Sequence, residues 1–355
     1  MPDLLQFAFG LGALVLGADV LVRGAARLAL GWGLSPLVIG LTVVAFGTSA
    51  PEVAVSVGAA LDGRTDIALG NVVGSNVFNI LGILGVSALI VPLAVSLQVI
   101  RQEVPVMIGS ALLLALLALD GRIGPLDGAL LLGLLVLYTV FLVRQSRASD
   151  ADANADFATD IGHAGATRIR LSVAMVLGGL GLLVVGAQAL VAAATAFALQ
   201  LGLSELVIGL TIVAVGTSLP ELATSLMAAW RGQRDIAVGN VIGSCIFNIL
   251  GCLGLTALVA GSAGLPVPAA VMRFDLWVML AAALACLPVF ITGRRIARWE
   301  GAVLLCYYLA YTLYLLMAAQ QHAGIGAFSE VLIGFVAPLT LVAIIASLVR
   351  PPGPR

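Results

Sequence analysis

The chain has 355 residues, of which 61% are hydrophobic and only 10% are charged, and its mean hydropathy is +1.15. Soluble domains carry about 25% charged residues, so this composition excludes an ordinary soluble protein and predicts a membrane protein surrounded by lipid. The net charge of −1 gives no indication of nucleic-acid binding, and no feature of the sequence implies a partner protein or a cofactor. The four cysteines lie in apolar stretches without CxxC spacing, so they are expected to be packing residues.

Apolar runs long enough to cross a bilayer, which takes about 20 residues, follow one another along the chain. A polar segment at 145–168 interrupts them and is predicted to be a short acidic cytoplasmic linker. The sequence therefore predicts an all-α polytopic membrane protein: two five-helix repeats at 1–144 and 169–320, forming a ten-helix core, and an eleventh transmembrane helix at 328–349. The predicted core spans lie near 4–29, 36–61, 66–90, 98–119, 125–143, 171–199, 205–230, 236–260, 274–292 and 300–319.

The distribution of arginine predicts the orientation of these spans. All 17 basic residues are Arg, and with the N-terminus outside, only Arg64, Arg122 and Arg273 fall on the outer side. Because basic residues accumulate on the cytoplasmic side of membrane proteins, this asymmetry favours an external N-terminus. We expect a multi-pass protein of the bacterial inner (plasma) membrane.

A long internal repeat is the most specific feature of the chain. Residues 33–90 align with residues 202–259 at an offset of 169, and 38 of the 58 aligned positions are identical. Five predicted spans separate equivalent points of the two copies, and an odd number of crossings reverses direction in the membrane. The copies are therefore predicted to be inverted, which is typical of transporters whose site lies near the midplane.

Each copy carries the motif Gly-Thr-Ser-x-Pro-Glu in the middle of a predicted span. Proline lacks an N–H and clashes with the preceding turn, so each helix is expected to break at this point. The Thr and Ser side chains can cap the new half-helix, and the carbonyls of Ala45 and Ala214 are expected to become available to a cation. The motif residues are Gly47, Thr48, Ser49, Pro51 and Glu52 in the first copy, and Gly216, Thr217, Ser218, Pro220 and Glu221 in the second.

Glu52 and Glu221 are the only acidic residues at the centre of a predicted span. A charge at that depth costs about 2.5–3.5 kcal/mol on insertion scales, and no Arg or His of the repeats lies at matching depth. The partner of the two carboxylates is therefore an external cation or a proton. Carboxylate, hydroxyl and carbonyl oxygens suit Ca²⁺ or Na⁺, whereas the lack of buried His or Cys ligands argues against Zn²⁺ and Cu⁺.

The following span of each copy carries Gly-Asn-Val-x-Gly-Ser-x-x-Phe-Asn. At helical spacing the polar side chains share one face and are predicted to form a second wall for the ion, beside glycines that let another backbone approach. The acidic residues Asp19, Glu103, Asp275 and Glu330 lie nearer span ends and are predicted to be interfacial. The polar face comprises Asn71, Ser75 and Asn79 in one copy, and Asn240, Ser244 and Asn248 in the other.

These paired motifs resemble the alpha repeats of the calcium/cation antiporter superfamily, specifically its prokaryotic sodium/calcium exchanger branch. The resemblance covers roughly residues 4–320, with the alpha-1 motif at 33–90 and the alpha-2 motif at 202–259. It implies ten helices in two inverted five-helix repeats and exchange of Ca²⁺ for Na⁺ by alternating access. It also implies that the cations are bound by oxygens of Glu52, Glu221, Thr48, Ser49, Thr217, Ser218, Ser75, Ser244, Asn79, Asn248, Ala45 and Ala214.

The sequence leaves the coupling ion open. Some members of the superfamily carry Asp where this chain has Asn79 or Asn248. Two carboxylates neutralise one Ca²⁺ but leave one positive charge uncompensated with three Na⁺, so a proton-coupled exchanger of the same fold remains the alternative. A cation channel is a more distant alternative, and a membrane protease based on Ser49 or Ser218 lacks a mid-span base to activate the hydroxyl.

Overall fold

The computed structural model describes residues 2–149, 169–200, 214–340, 342 and 345. Almost all of this part of the chain is helical. The helices are α1 Pro2–Trp32, α2 Pro36–Thr48, α3 Ala50–Leu61, α4 Thr65–Val77 with Phe78–Ile83 and Leu84–Ile90, α5 Val99–Glu103 with Val104–Leu117, α6 Pro125–Ser149, α7 Ile169–Gln200, α8 Ala214–Gly216, α9 Leu219–Trp230, α10 Arg234–Phe247 with Asn248–Leu253 and Gly254–Val259, α11 Val271–Asp275 with Leu276–Ile291, α12 Arg298–Ala319 and α13 Ile325–Thr340.

The prediction of a polytopic helical membrane protein is confirmed. Within the described ranges, eight helices are long and apolar enough to cross a membrane, or nine if α2 and α3 form one bent span. Helix α6 extends to Ser149, into the predicted linker, while 150–168 lie outside the described residues. Of the predicted eleventh span at 328–349, the structure describes the helix α13 up to Thr340 and residues 342 and 345, and the remainder lies outside the described residues. The first half of the predicted span at 205–230 is also outside the described residues, up to residue 213.

Helices α1 and α7 pack in opposite directions along a row of glycines. A Cβ atom on Gly17 would lie 2.9 Å from the carbonyl oxygen of Gly179, and one on Gly10 would lie 2.9 Å from that of Gly186. Because residue numbers rise along α1 as their contacts fall along α7, the two helices are antiparallel. Such close backbone contact is how membrane helices associate without a hydrophobic driving force.

Two more glycine contacts join the first sequence copy to the second. In α4 and α12, Gly85 meets Gly301, where an added Cβ on Gly301 would lie 2.7 Å from the Gly85 carbonyl oxygen. In α6 and α10, a Cβ on Gly128 would lie 2.6 Å from the carbonyl oxygen of Gly254. The two halves of the chain are therefore interleaved, because helices of each half pack against helices of the other.

Helices α4 and α10, which carry the second motif, form the centre of the molecule. Of the residues in their most apolar stretches, 78% in α4 and 89% in α10 are buried, the highest values among the candidate spans. Gly239 and Gly243 of α10 admit the backbone of α2, as predicted: a Cβ on Gly243 would lie 2.6 Å from the Leu41 carbonyl oxygen. The segment equivalent to that stretch of α2 lies outside the described residues.

Four two-residue strands are the exception to the predicted all-α fold. They are β1 Leu93–Ala94, β2 Arg122–Ile123, β3 Leu265–Pro266 and β4 Arg295–Ile296. Strand β1 pairs antiparallel with β4, and β2 pairs antiparallel with β3. Each pair joins a loop of the first half to a loop of the second, so the loops repeat the interleaving of the helices.

Candidate cation-binding site

The first copy of the Gly-Thr-Ser-x-Pro-Glu motif forms a break between α2 and α3. The two helices meet at 44°, and Ser49 between them has φ −82° and ψ 7°, outside helical geometry. Pro51 occupies the first turn of α3, where it is tolerated, but it offers no N–H to the Gly47 carbonyl one turn earlier. The predicted break is confirmed, and its sharpness follows from this missing hydrogen bond.

The carbonyl that the sequence analysis expected to be freed is not free. The oxygen of Ala45 accepts a hydrogen bond from the Ser49 N–H at 3.0 Å, which closes an ordinary helical turn. That expectation was wrong because proline deprives the residue four positions earlier, Gly47, rather than Ala45. The Thr48 hydroxyl also lies within hydrogen-bond distance of the Ala45 oxygen, at 3.4 Å.

The second copy has a similar break, where the Ser218 N–H donates to the Val215 carbonyl at 3.1 Å. Ser218 has φ −93° and ψ 12°, and α9 begins at Leu219 with Pro220 in its first turn. Ala214 lies in the short helix α8 on the other side of this break, and the chain before it is outside the described residues. The two motifs therefore present their carboxylates at the start of equivalent half-helices, α3 and α9.

The two serines reach across to the opposite copy. The Ser49 hydroxyl donates to Glu221 Oε1 at 2.8 Å, and the Ser218 hydroxyl donates to Glu52 Oε1, also at 2.8 Å. Neither serine side chain caps its own half-helix, so the predicted capping role was wrong. The serines instead place both carboxylates in one site, because each carboxylate is hydrogen-bonded to the segment that carries the other.

Two asparagines also form hydrogen bonds between the two copies. The Asn71 amide nitrogen donates to the Glu52 carbonyl at 3.2 Å and to the Ser56 hydroxyl at 3.0 Å, while its oxygen accepts from Thr217 at 3.4 Å. In the other copy, the Asn240 amide donates to the Glu221 carbonyl at 3.3 Å and to the Ser225 hydroxyl at 2.9 Å, and its oxygen accepts from Thr48 at 3.1 Å.

Ser56 and Ser225 were missed by the sequence analysis. Each lies four residues after the motif glutamate, so it shares that glutamate's face of the helix. This spacing in both copies is the signal that could have identified them.

Several buried polar atoms around the two carboxylates have no hydrogen-bond partner among the described residues. These atoms are Glu52 Oε2, Glu221 Oε2, the Ser244 hydroxyl, and both amide atoms of Asn79 and of Asn248. Buried polar groups are nearly always satisfied, so such a cluster calls for a missing partner. No ion pair of the described residues involves either glutamate. The site is therefore rich in oxygen acceptors and is not neutralised by a basic side chain.

Hydrogen bonds between the copies join part of the predicted set, namely Glu52 with Ser218, Glu221 with Ser49, and Ser218 with Ser75. Most of the predicted site residues with polar side chains are fully buried, and Ser75 is nearly so. The fully buried ones are Glu52, Glu221, Thr48, Ser49, Ser218, Asn79, Ser244 and Asn248. The Ser75 and Ser218 hydroxyls lie 3.2 Å apart, and because Ser218 donates its proton to Glu52, Ser75 is the donor of this hydrogen bond. The contact joins the wall on α4 to the break of the second copy. Asn79 and Asn248 lie where α4 and α10 widen into a π-helical turn, a distortion often found at functional sites.

Two acidic residues predicted to be interfacial accept hydrogen bonds from tyrosines of other helices. Glu103 is fully buried, and it accepts hydrogen bonds from Tyr138 at 2.5 Å and Gln98 at 3.0 Å. Asp275, which likewise lies near the start of its span, accepts a hydrogen bond from Tyr311 at 2.8 Å and is half-buried. Glu103 lies near the start of its span, Val99–Asp120, as predicted, and tyrosine and amide donors satisfy its buried carboxyl group. Asp19 forms ion pairs with Arg23 at 2.9 Å and with Arg231.

Comparison with known proteins identifies the family to which the chain is similar. The profile of the family described as sodium/calcium exchanger protein matches residues 3–144 and 171–317, which is most of the chain. The chain is 42% identical to the putative antiporter CaxA of Alkalimonas amylolytica over 315 residues, covering 87% of this chain and 97% of that protein. It is 35% identical to the sodium/calcium exchanger MaX1 of Methanosarcina acetivorans, covering 88% and 98% respectively.

A solved structure has the same fold. The sodium-calcium exchanger NCX_Mj, in a crystal soaked without Na⁺ and Ca²⁺, superposes with a TM-score of 0.75 at 32% identity, covering 88% of this chain and 98% of that one. The likeness in sequence and in structure extends over both copies of the motif and the helices between them. The chain therefore belongs to the sodium/calcium exchanger protein family.

Proposed function

We propose that the protein is a secondary antiporter that exchanges Ca²⁺ for Na⁺ at one site between Glu52 and Glu221. The observation that carries this proposal is the pair of buried carboxylates, each with one oxygen bound by a serine of the opposite copy and one oxygen without a partner. Family membership and the likeness to NCX_Mj support cation antiport.

The composition of the site favours a hard cation. Two carboxylates match the charge of one Ca²⁺, and the nearby hydroxyl and amide oxygens are the neutral ligands that this ion accepts. Among the described residues no cluster of three or more His, Cys, Asp or Glu is present, so the other ligands are hydroxyl, amide and carbonyl oxygens. We propose that Thr48, Ser49, Thr217, Ser218, Ser75, Ser244, Asn79, Asn248 and the carbonyls of Ala45 and Ala214 supply them.

The arrangement of the two copies supports alternating access. The antiparallel packing of α1 against α7, and the exchange of hydrogen bonds between the breaks, are what two inverted repeats around a midplane site require. With the N-terminus outside, as the arginine distribution indicates, α3 lies in the outer half of the membrane and α9 in the inner half. We propose that the protein resides in the bacterial inner membrane in this orientation.

Flux measurements on the purified protein test the proposal. Proteoliposomes loaded with Na⁺ are diluted into medium without Na⁺ that contains radioactive Ca²⁺, and a parallel set carries only a pH gradient. We expect uptake in the first set, abolished when an ionophore dissipates the Na⁺ gradient. Uptake that ignores the Na⁺ gradient contradicts the proposal.

Proton coupling is the second candidate, and it rests on the same two carboxylates. Two amides, Asn79 and Asn248, stand beside them, so the site has only two charges to balance several Na⁺ ions. Two protons would neutralise the pair without excess charge. A pH gradient that drives Ca²⁺ uptake in the absence of Na⁺ selects this candidate, and ion currents without countertransport would indicate a channel.

A further inference from the structure

Asn71 and Asn240 lie between the half-sites without belonging to the proposed set of cation ligands. Asn71 uses both donors of its amide within its own copy, on the Glu52 carbonyl and the Ser56 hydroxyl, and uses its acceptor on Thr217 of the other copy. Asn240 does the same with Glu221, Ser225 and Thr48. Both side chains are thus fully engaged, unlike those of Asn79 and Asn248 on the same helices.

We propose that Asn71 and Asn240 are positioning residues that hold the two carboxylate half-sites in register, so that they bind a cation as one site. The proposal rests on the proposed cation exchange. Each amide fixes the backbone of one glutamate to the break that carries the opposite threonine and serine. A shift of either half-helix relative to the opposite break therefore strains two hydrogen-bonded connections, the serine contact and the asparagine contact.

Only an amide of this length fits the observed contacts. The position needs two N–H donors toward a carbonyl and a hydroxyl, and one acceptor toward a hydroxyl. Aspartate offers no donor to the glutamate carbonyl, and glutamine is longer by one methylene group. Alanine removes all three hydrogen bonds and leaves the glutamate carboxylate itself in place.

The chain provides a matched control on the same helix. Asn76 of α4 is also buried; its amide nitrogen donates to the Val72 carbonyl of its own helix at 2.9 Å, and its amide oxygen has no hydrogen-bond partner among the described residues. The equivalent position of the second copy is Cys245, so Asn76→Cys is a substitution that the repeat itself accommodates. This variant removes a buried asparagine without touching the connection between the copies.

The test measures the KM for Ca²⁺ and the maximal rate of Na⁺-driven uptake in proteoliposomes. We expect Asn71→Ala and Asn240→Ala each to raise the KM for Ca²⁺ about tenfold, since the three hydrogen bonds that connect the glutamate backbone to the opposite copy are lost. Asn76→Cys is expected to keep the wild-type KM. The KM is the decisive readout, because a loss of folded protein lowers the maximal rate and leaves the KM of the remaining protein unchanged.

Milder variants keep the proposal testable if alanine at 71 or 240 prevents folding. Ser56→Ala and Ser225→Ala remove one hydrogen bond of each asparagine, and we expect each to raise the KM about twofold to threefold. Unchanged KM values in folded Asn71→Ala and Ser56→Ala, or an equal rise in Asn76→Cys, overturn the positioning role. Absence of Ca²⁺ uptake by the wild-type protein under any gradient would instead overturn the proposed function.

Discussion

The segments around Glu52 and around Glu221 make the same hydrogen bonds, whereas the helices that flank them differ. Each glutamate accepts from the opposite serine at 2.8 Å, and each motif asparagine makes the same three contacts. The centre of the molecule therefore has an approximate twofold relation that includes individual side-chain atoms. A cation between the two carboxylates meets nearly the same ligands from both sides.

The surroundings of the half-helices α3 and α9, which we call the two flanks, do not share this relation. Helix α9 packs against α1, and its Thr224 is fully buried, while the equivalent Val55 of α3 is 38% exposed. Asp19 of α1 is ion-paired to Arg231 at the end of α9. At the equivalent positions of the other flank, Gln188 is exposed and uncharged, and Asp62 pairs with the nearby Arg64 on the surface.

This difference teaches that identical half-sites do not need identical surroundings. Under the proposed function the ligands must match, because one cation would be bound from both sides. If the site opens to one side of the membrane at a time, the two flanks must be covered by other helices at different times. A single conformation is therefore expected to cover the two flanks unequally. Changes at the centre should therefore act equally in the two copies, and changes at the flanks should act on one.

The largest effect is expected from Glu52→Gln and Glu221→Gln. Each variant removes one of the two charges that face the cation, and at an effective dielectric constant of about 20 a unit-charge pair 4 Å apart is worth about 4 kcal/mol. Either change should lower Ca²⁺ uptake by roughly a thousandfold, to the same extent in the two copies. Proteoliposome flux measures the effect.

Glu330→Gln serves as the control for those variants. It makes the same chemical change at an exposed residue of α13, outside the site, and it should leave uptake unchanged. Size-exclusion profiles of all three variants should match that of the wild type. Full transport by either central variant would show that its carboxylate is not a ligand.

A smaller and equally symmetric effect is expected from Ser49→Ala and Ser218→Ala. Each removes one hydrogen bond to a carboxylate, a contact worth about 1.5–3 kcal/mol, so the affinity for Ca²⁺ should fall by roughly tenfold to a hundredfold. Ser49→Ala combined with Glu221→Gln should cost less than the two changes added separately, because the pair shares one interaction. Additive effects would contradict the crossing contact.

The helices and the identity of the central residues could be predicted from the sequence, because both depend on local patterns. A proline in an apolar span predicts a break, and a glutamate beside it predicts a polar site. The duplication made the prediction specific, since the same residues occur twice at a fixed offset. The antiparallel contacts of α1 and α7 agree with the inversion that the count of spans predicted.

Contacts between distant segments could not be predicted in the same way. A serine before a half-helix is a good capping residue, and only the folded chain shows that its hydroxyl is directed to the opposite glutamate. The burial of Glu103 could not be predicted either, because it depends on Tyr138, which is 35 residues away along the chain. Local spacing carries no information about either partner.

The antiparallel helices α1 and α7 allow a test of the symmetric packing. In Gly17→Ala the new Cβ would lie 2.9 Å from the Gly179 carbonyl oxygen, and in the equivalent Gly186→Ala it would lie 2.9 Å from that of Gly10. Both variants should lose about 1–3 kcal/mol of stability from overpacking. Gly12→Ala, where no atom lies within 4 Å, should be neutral in thermal unfolding, and equal losses at all three positions would contradict this interface.

The smallest effect should reveal the asymmetry of the flanks. Asp19→Asn breaks the ion pair between Asp19 of α1 and Arg231 at the end of α9, whose side chains are 18% and 32% exposed. The change should lower the free energy of unfolding by less than about 1 kcal/mol and the melting temperature by about 2 °C or less. Asp62→Asn removes a surface pair on the other flank and should cause no measurable shift. Adding salt should reduce the difference between the two variants, because screening weakens exposed ion pairs. Equal shifts would mean that the ion pair does not distinguish the flanks, and the unequal cover of Thr224 and Val55 would then come from helix packing alone.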